Sequence, residues 1–464
     1  MPRPAPAVAR ARLLLLGLFA LAGVAFASWL ARIPTVRDLL DLSTADLGVL
    51  LLVGSVGSLL TVTAAGAAVQ RVGSRRVLLV STLVLAAALV LLGVGPTVGS
   101  RALLAAGIFL NGVAVALGNV AINVESARVE RAMGRTVIPQ FHAAFSIGAV
   151  LGSGTGALAS ATGVPVGVQL PLTAAVVVVW RLASLPGVVL PPSVAEAARA
   201  SLVSPTGAAP VRGVRRLGTA LDAWREPRTL LVGVVVLAAA FSEGAANNWL
   251  SLAVVDGFAR SESVGGAVLG LFVASMTVVR LVGIRLVDRF GRVTVLRASG
   301  SSSVVGLLVF GFAPSLPLAC VGVVLWGVGA ALAVPVGIAA ASDDPARAAG
   351  RVAVVSAFAS VASLVAPPVL GLAAQSVGAR HALVLIVAAM VASVLVAPAV
   401  ARERTDDDAP APPAAPDGPP TRDGSDADRL VRLVHARHHG LPRRATRRRG
   451  RTRSARPAAR GGAR

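Results

Sequence analysis

The sequence predicts an all-α integral membrane protein: twelve transmembrane helices in two six-helix pseudo-repeats around a central cavity. Three observations carry this. Of 464 residues, 55% are hydrophobic and only 14% charged, with mean hydropathy +0.76, whereas a soluble chain is usually nearer a quarter charged. Apolar runs long enough to cross a bilayer recur from end to end. Segments of the first half also reappear, in order, in the second.

A helix needs about 20 apolar residues to span about 30 Å of hydrocarbon. Counting such runs between Gly, Pro and charged breaks places them near 13–35, 46–69, 77–95, 101–125, 139–161, 164–189, 229–254, 264–284, 293–313, 315–341, 350–375 and 381–400. The first follows Arg3, Arg10 and Arg12, a signal-peptide-like beginning. The many similar runs after it make it the first transmembrane helix, retained.

Arginine placement orients the runs. Arg71, Arg75 and Arg76; Arg128, Arg131 and Arg135; Arg212 to Arg228; Arg289, Arg292 and Arg297; and Arg347 and Arg351 fall in alternate loops. The other loops hold few, chiefly Arg32, Arg37, Arg101, Arg260 and Arg380. The positive-inside rule puts the rich loops and both termini in the cytoplasm, so a multi-pass protein of the cell inner (plasma) membrane is expected.

The chain then divides into a short cytoplasmic N-terminus (1–12), a first six-helix bundle (13–190), a cytoplasmic linker (191–228), a second bundle (229–401) and an Arg-rich tail (402–464). The tail carries thirteen Arg and no acid between Arg429 and Arg464, after an acidic, Pro-rich stretch from Asp406 to Asp428. Such composition cannot form a core and is expected to be disordered, attracted to an anionic inner leaflet. No aromatic stacking residues accompany these arginines, so nucleic acid is not an expected partner.

The repeats are RVGSRRVLLVS from Arg71 against RFGRVTVLRAS from Arg289, Trp29-Leu30 against Trp249-Leu250, and AFSIGAVL from Ala144 against AFASVASL from Ala357. Three echoes in one order indicate a duplicated six-helix unit repeated in parallel.

GAAVQRVGSRR, Gly66 to Arg76, resembles the Gly-x-x-x-Asp-Arg-x-Gly-Arg-Arg signature of the major facilitator superfamily, with Gly66, Arg71, Gly73, Arg75 and Arg76 in place. Gln70 stands where the family has Asp. The second copy keeps Asp288, Arg289, Gly291 and Arg292, while Gly283 lies one position too far upstream. The resemblance implies the two-bundle fold, solute transport by alternating access and a gating role for both loops. WLARIP (Trp29 to Pro34), GNVAINVE (Gly118 to Glu125) and FHAAFSIG (Phe141 to Gly148) are most similar to the fucose-permease-like branch and its uncharacterised inner-membrane relatives. Asn119 falls near the position of a carboxylate in the sugar symporters, a departure that counts against fucose itself. Leu151 to Gly156 lacks the Gly-Pro pair of drug/proton antiporters.

Charges inside a membrane are costly and point to a wet cavity or a partner. On the seventh run Glu243 and Asn247 share a face, flanked by Asn248 and Trp249. Amides bond hydroxyls and an indole stacks on a sugar face, so this stretch suits a hydroxylated solute. The plain alternative is one interhelical hydrogen bond from Glu243, with Arg280 a candidate partner. Trp29, Arg32, Asn119, Asn123 and Arg280 complete the expected substrate contacts. Arg32 either enters the outer half of the cavity or snorkels to the surface; with Arg280 also inside, a sugar acid or organic anion becomes as good a candidate as a neutral sugar. Glu243 and His142 are the candidates for proton coupling. Glu125 is expected to pair with Arg128.

No phosphate-cradling loop, metal-ligand cluster or catalytic constellation stands out, so neither an enzyme nor a cofactor or metal is expected; Cys320 has no partner for a disulfide. The sequence therefore points to a monomeric secondary transporter of a small polar solute, coupled to H+. A drug or metabolite efflux antiporter and a transport-inactive receptor or scaffold are the alternatives.

Overall fold

The computed structural model describes residues 6–135, 137–190, 222–344 and 347–402. Most of the expected linker and nearly all of the tail lie outside the described residues. Among the described residues there is no strand. The helices are α1 (Pro6–Leu30), α2 (Ile33–Leu39), α3 (Thr44–Val72), α4 (Ser74–Thr97), α5 (Arg101–Met133), α6 (Ile138–Ala161) and α7 (Val166–Val188). After the linker come α8 (Pro227–Phe258), α9 (Glu262–Phe290), α10 (Arg292–Phe312), α11 (Leu316–Ala330), α12 (Ala333–Ala341), α13 (Ala348–Ala382) and α14 (Ile386–Val396).

Eleven helical stretches are long and apolar enough to cross a membrane. The last, Ala348–Val400, runs for 53 residues; at 1.5 Å per residue that is about 80 Å, far more than one crossing requires. It breaks at Gly378, where φ is 79° and ψ 154°, so it makes two crossings. Twelve result among the described residues. Gly73 (φ 83°, ψ 153°) and Gly291 (φ 77°, ψ 158°) adopt the same backbone geometry in the two signature loops. Only glycine enters that region at low cost, which accounts for the repeated glycine.

Helix starts follow from local chemistry. Ser43 and Asp46 form a reciprocal capping box at the head of α3, and the Ser100 hydroxyl accepts from the Leu103 amide at the head of α5. α6 and α8 open on prolines at their first turns, where the missing amide proton costs nothing.

The duplication is visible in packing. α1 lies on α6, α4 on α5 and α3 on α5; correspondingly α8 lies on α13, α10 on α11 and α9 on α11. The halves meet through α6 against α9 and α3 against α13. Large apolar side chains such as Leu158, Leu172, Val179, Leu281, Ile284 and Leu395 are well exposed, as a surface facing lipid chains requires. The alternate loops named above fall on opposite faces, one rich and one poor in arginine.

Contacts between halves concentrate toward the Arg-poor face. A Cβ at Gly48 would lie 2.6 Å from the Pro367 carbonyl and 3.2 Å from Gly371 Cα, and one at Gly270 would lie 3.4 Å from Ser153 Cβ. These small residues let α3 approach α13 and α9 approach α6 closely. Toward the Arg-rich face, Cβ atoms at Gly66, Gly73 and Gly291 would meet nothing within 4 Å. The molecule is thus closed between its halves on the Arg-poor side.

Candidate functional site

Behind that closure lies a cavity of about 410 Å³ between the halves. Phe26 and Trp29 of α1, Ser55 and Ser58 of α3, and Asn111 of α5 line one side; Glu243, Asn247 and Asn248 of α8, with Ser363 of α13, line the other. The period of the helix arranges these groups: Glu243 and Asn247 are one turn apart, and Asn111 begins a stripe that continues through Val115 to Asn119. Asn123 donates from its amide to the Asn119 side-chain and backbone oxygens, at 2.7 and 2.8 Å. Those two asparagines extend the stripe toward the Arg-rich face and do not belong to the cavity wall itself.

Arg280 of α9 donates through Nη2 to Glu243 Oε2 at 2.8 Å and through Nε to the Ala331 carbonyl at 3.2 Å. Both side chains are about one-third to one-quarter exposed, at 32% and 26%, which leaves the pair within reach of water. The Ala331 carbonyl is available because the crossing Leu316–Ala341 breaks between α11 and α12. Gly244 beside Glu243 has open space where a Cβ would be.

Three further expected site residues lie elsewhere. Trp249 is 1% exposed; its ring reaches Gly371 at the contact between halves, so it does not stack on a solute in this state. The helix turns by about 100° per residue, and Asn248 faces the cavity while its neighbour does not. Arg32 neither enters the cavity nor snorkels: it is 4% exposed, its Nε lies 3.3 Å from Glu262 Oε2, and its Nη2 donates to the Val164 carbonyl at 3.2 Å. His142 is exposed near the head of α6, edge-on to Phe19 with ring centres 5.5 Å apart, outside the cavity wall.

The Arg-poor closure was not legible in the sequence. Glu262 also accepts from the Thr35 backbone amide at 2.8 Å, and Arg37 pairs with Asp256. These bonds tie α2 and its flank, in the first half, to α8 and α9 in the second. Ile33 and Val36 are fully buried, so α2 is a plug as well as a bridge. Ser55 adds a hydrogen bond to the Ser363 carbonyl at 3.0 Å.

At the Arg-rich face the two signature loops differ. Arg292 reaches both oxygens of Asp343, at 2.7 and 2.9 Å, and Arg228 reaches the same carboxylate at 3.0 Å. Arg71, Arg75 and Arg76 are exposed and form no ion pair among the described residues, in keeping with Gln70 in place of the acid. Asp288 is exposed and Arg289 stacks over Phe290. Glu125 pairs with Arg128 at 2.6 Å, as the sequence suggested. Just outside the span of α8, Glu226 meets Arg351 at 2.7 Å and Thr229 at 2.8 Å. Burial pushes its carboxyl up, but those bonds and the charges of Arg351 and Arg347 outweigh this and hold it below the usual carboxylate range.

A further buried cation escaped the sequence reading. Arg181 of α7 is 5% exposed and donates to the Ser81 hydroxyl at 3.2 Å, with no carboxylate partner among the described residues. Its guanidinium occupies the space left by Gly118, whose Cβ would lie 3.1 Å from Nη2. A lone charge in the sixth apolar run was the available signal.

Comparison with known proteins agrees with this architecture. Residues 232–449 match the family described as Major Facilitator Superfamily. An uncharacterized transporter, y4wD of Sinorhizobium fredii (strain NBRC 101917 / NGR234), is 32% identical over 365 residues, covering 78% of this chain and 90% of its own length. Membrane protein MosC of Rhizobium meliloti is 27% identical, with 80% and 85% covered. Among solved structures, nucleoside transporter NupG superposes with TM-score 0.64 at 16% identity, over 84% of this chain and 98% of that one. The E. coli fucose:proton symporter FucP gives TM-score 0.54 at 14% identity, over 85% and 98%. Twelve crossings among the described residues in two like-packed halves, a polar cavity between them and these relatives lead to one conclusion: the chain belongs to the major facilitator superfamily of membrane transporters.

Proposed function

We propose that the protein is a proton-coupled secondary transporter of a small hydroxylated solute, a sugar or sugar acid, working by alternating access. The observation that carries this reading is the cavity wall: a carboxylate, three asparagines and an indole, from both halves, around about 410 Å³. That volume is in the range of small-molecule sites, and its hydrogen-bonding groups match hydroxyls in both donor and acceptor sense.

With the Arg-rich face assigned to the cytoplasm by the positive-inside rule, both termini are cytoplasmic and the state described is closed to the outside. Rocking of the halves would break the contacts of Arg32, Thr35 and Arg37 with Glu262 and Asp256 and close the signature loops instead. Glu243 carries the proton in this reading: it is the carboxylate of the cavity wall, beside Arg280. The arginines of the first signature loop lie where they would meet anionic lipid headgroups.

The test is a thermal-shift screen of the purified protein against sugars, sugar acids, organic anions and lipophilic cations, followed by counterflow in proteoliposomes for each ligand that stabilises it. Saturable counterflow of a hydroxylated solute supports the proposal. Counterflow confined to lipophilic cations would instead make it a drug exporter, and binding without counterflow would make it a receptor.

A further inference from the structure

We propose that the solute is a monoanion, a hydroxylated monocarboxylate, and that Arg280 is its receptor, occupied by Glu243 when the carrier is empty and surrendered to the solute when Glu243 takes a proton. The inference rests on the transporter reading above and adds the charge of the solute and the basis of its coupling.

Charge bookkeeping inside the cavity leads there. The site holds Arg280 and Glu243 in contact at 2.8 Å, net neutral. Protonating Glu243 alone leaves a partly desolvated guanidinium uncompensated; binding an anion alone sets two negative charges against one positive. Both half-loaded states are costly in a medium of low dielectric. Proton and anion together restore neutrality, because the solute carboxylate takes the Nη2–H donor that Glu243 releases. A neutral solute cannot do this, since it leaves the Arg280 charge unmatched once Glu243 is protonated. The empty and the doubly loaded carriers are therefore the two forms fit to reorient, and each transport event carries one proton with one anion and moves no net charge.

The surroundings agree. Arg32, the other cation in reach of this region by sequence, is committed to Glu262 and Val164, and Arg181 is packed behind α5 against Ser81. Among the described residues the other titratable group near the pair is His142, exposed on α6 of the opposite half and outside the cavity wall, close enough for the charge of Arg280 to act on it. Arg280 is fixed by the Ala331 carbonyl through Nε, so its fork stays in place when Glu243 lets go, ready for a planar carboxylate. Asn111, Asn247, Asn248 and Ser58 in the cavity wall supply partners for the hydroxyls.

The experiment measures ligand affinity against pH in the purified full chain, with gluconate and glucuronate as monoanionic probes and glucose and glucitol as uncharged counterparts. Wild type is expected to bind an anionic probe about tenfold more tightly for each unit the pH falls while Glu243 is ionised, as one linked proton requires. Glu243→Gln should bind it at pH 7.5 at least tenfold more tightly than wild type and lose that slope. The double variant Glu243→Gln/Arg280→Gln, whose cavity is neutral and so tolerates loss of the pair, should bind no anionic probe. The inference is overturned if neither anion binds wild type at any pH, if binding survives in the double variant, or if glucose or glucitol binds in their place. Counterflow of an uncharged probe would leave the transporter reading standing while this inference falls; binding without counterflow of any probe would remove the reading itself.

Discussion

Arg32 and Glu262 meet at 3.3 Å, 4% and 9% exposed, and they come from opposite halves of the molecule. Breaking a buried pair by neutralising one partner typically costs about 3–5 kcal/mol, because it leaves the other charge uncompensated. That cost falls only on the state closed at the Arg-poor face. Glu262→Gln should therefore shift the population toward opening there by more than tenfold. Spin labels at Leu39 and Arg260, in a Cys320→Ser background, report it as a growing long-distance component. Adding Arg32→Gln should reverse much of the shift; a double variant as open as the single one would deny the pair its role.

Gly48 makes a second, purely steric case. Its missing Cβ would fall 2.6 Å from the Pro367 carbonyl, so Gly48→Val should prevent the same closure and abolish transport while leaving expression intact. Gly154, with open space at its Cβ, is the control: Gly154→Ala should transport as wild type does.

Asp343 is the common partner of Arg228 and Arg292. Asp343→Asn leaves two guanidinium groups without their shared carboxylate and should cost about 2–3 kcal/mol, seen as a lower Tm in detergent. Arg75→Gln, in the signature loop without an ion pair among the described residues, should stay within about 0.5 kcal/mol of wild type.

Glu226 gives a pH dependence with a definite sign. Its folded carboxyl is held below the ordinary value of 4.5 by Arg351, Thr229 and Arg347 against the effect of burial. A depressed acid stabilises the fold above its unfolded pKa, and that contribution is lost as pH falls through the folded one. Thermal stability of wild type should thus drop more steeply below pH 4.5 than that of Glu226→Gln. Parallel curves would show that the carboxylate contributes nothing.

The crossings and the pseudo-repeat were legible because hydropathy over twenty residues and the arginine alternation are local signals. The Glu243–Arg280 contact was legible as a candidate because two charges deep in apolar runs need partners. What failed was rotation and reach. Along α8 apolar residues flank the polar ones on every side, so nothing in the sequence says which flank meets the other half, and Trp249 reads with Asn247 and Asn248 though only the asparagines line the cavity. Arg32 was misplaced because its partner lies 230 positions away, in a half whose closure no periodicity encodes. Asp343 and Glu262 were missed for the same reason: each takes its meaning from a partner far along the chain.

Glu243 is proposed to couple a proton to the solute in the cavity, and accumulation of the counterflow-identified solute by proteoliposomes with an inside-alkaline pH gradient tests this. Wild type should concentrate the solute, and Glu243→Gln should exchange it across the membrane but fail to concentrate it. Gradient-driven accumulation retained by Glu243→Gln would show that another group couples the proton.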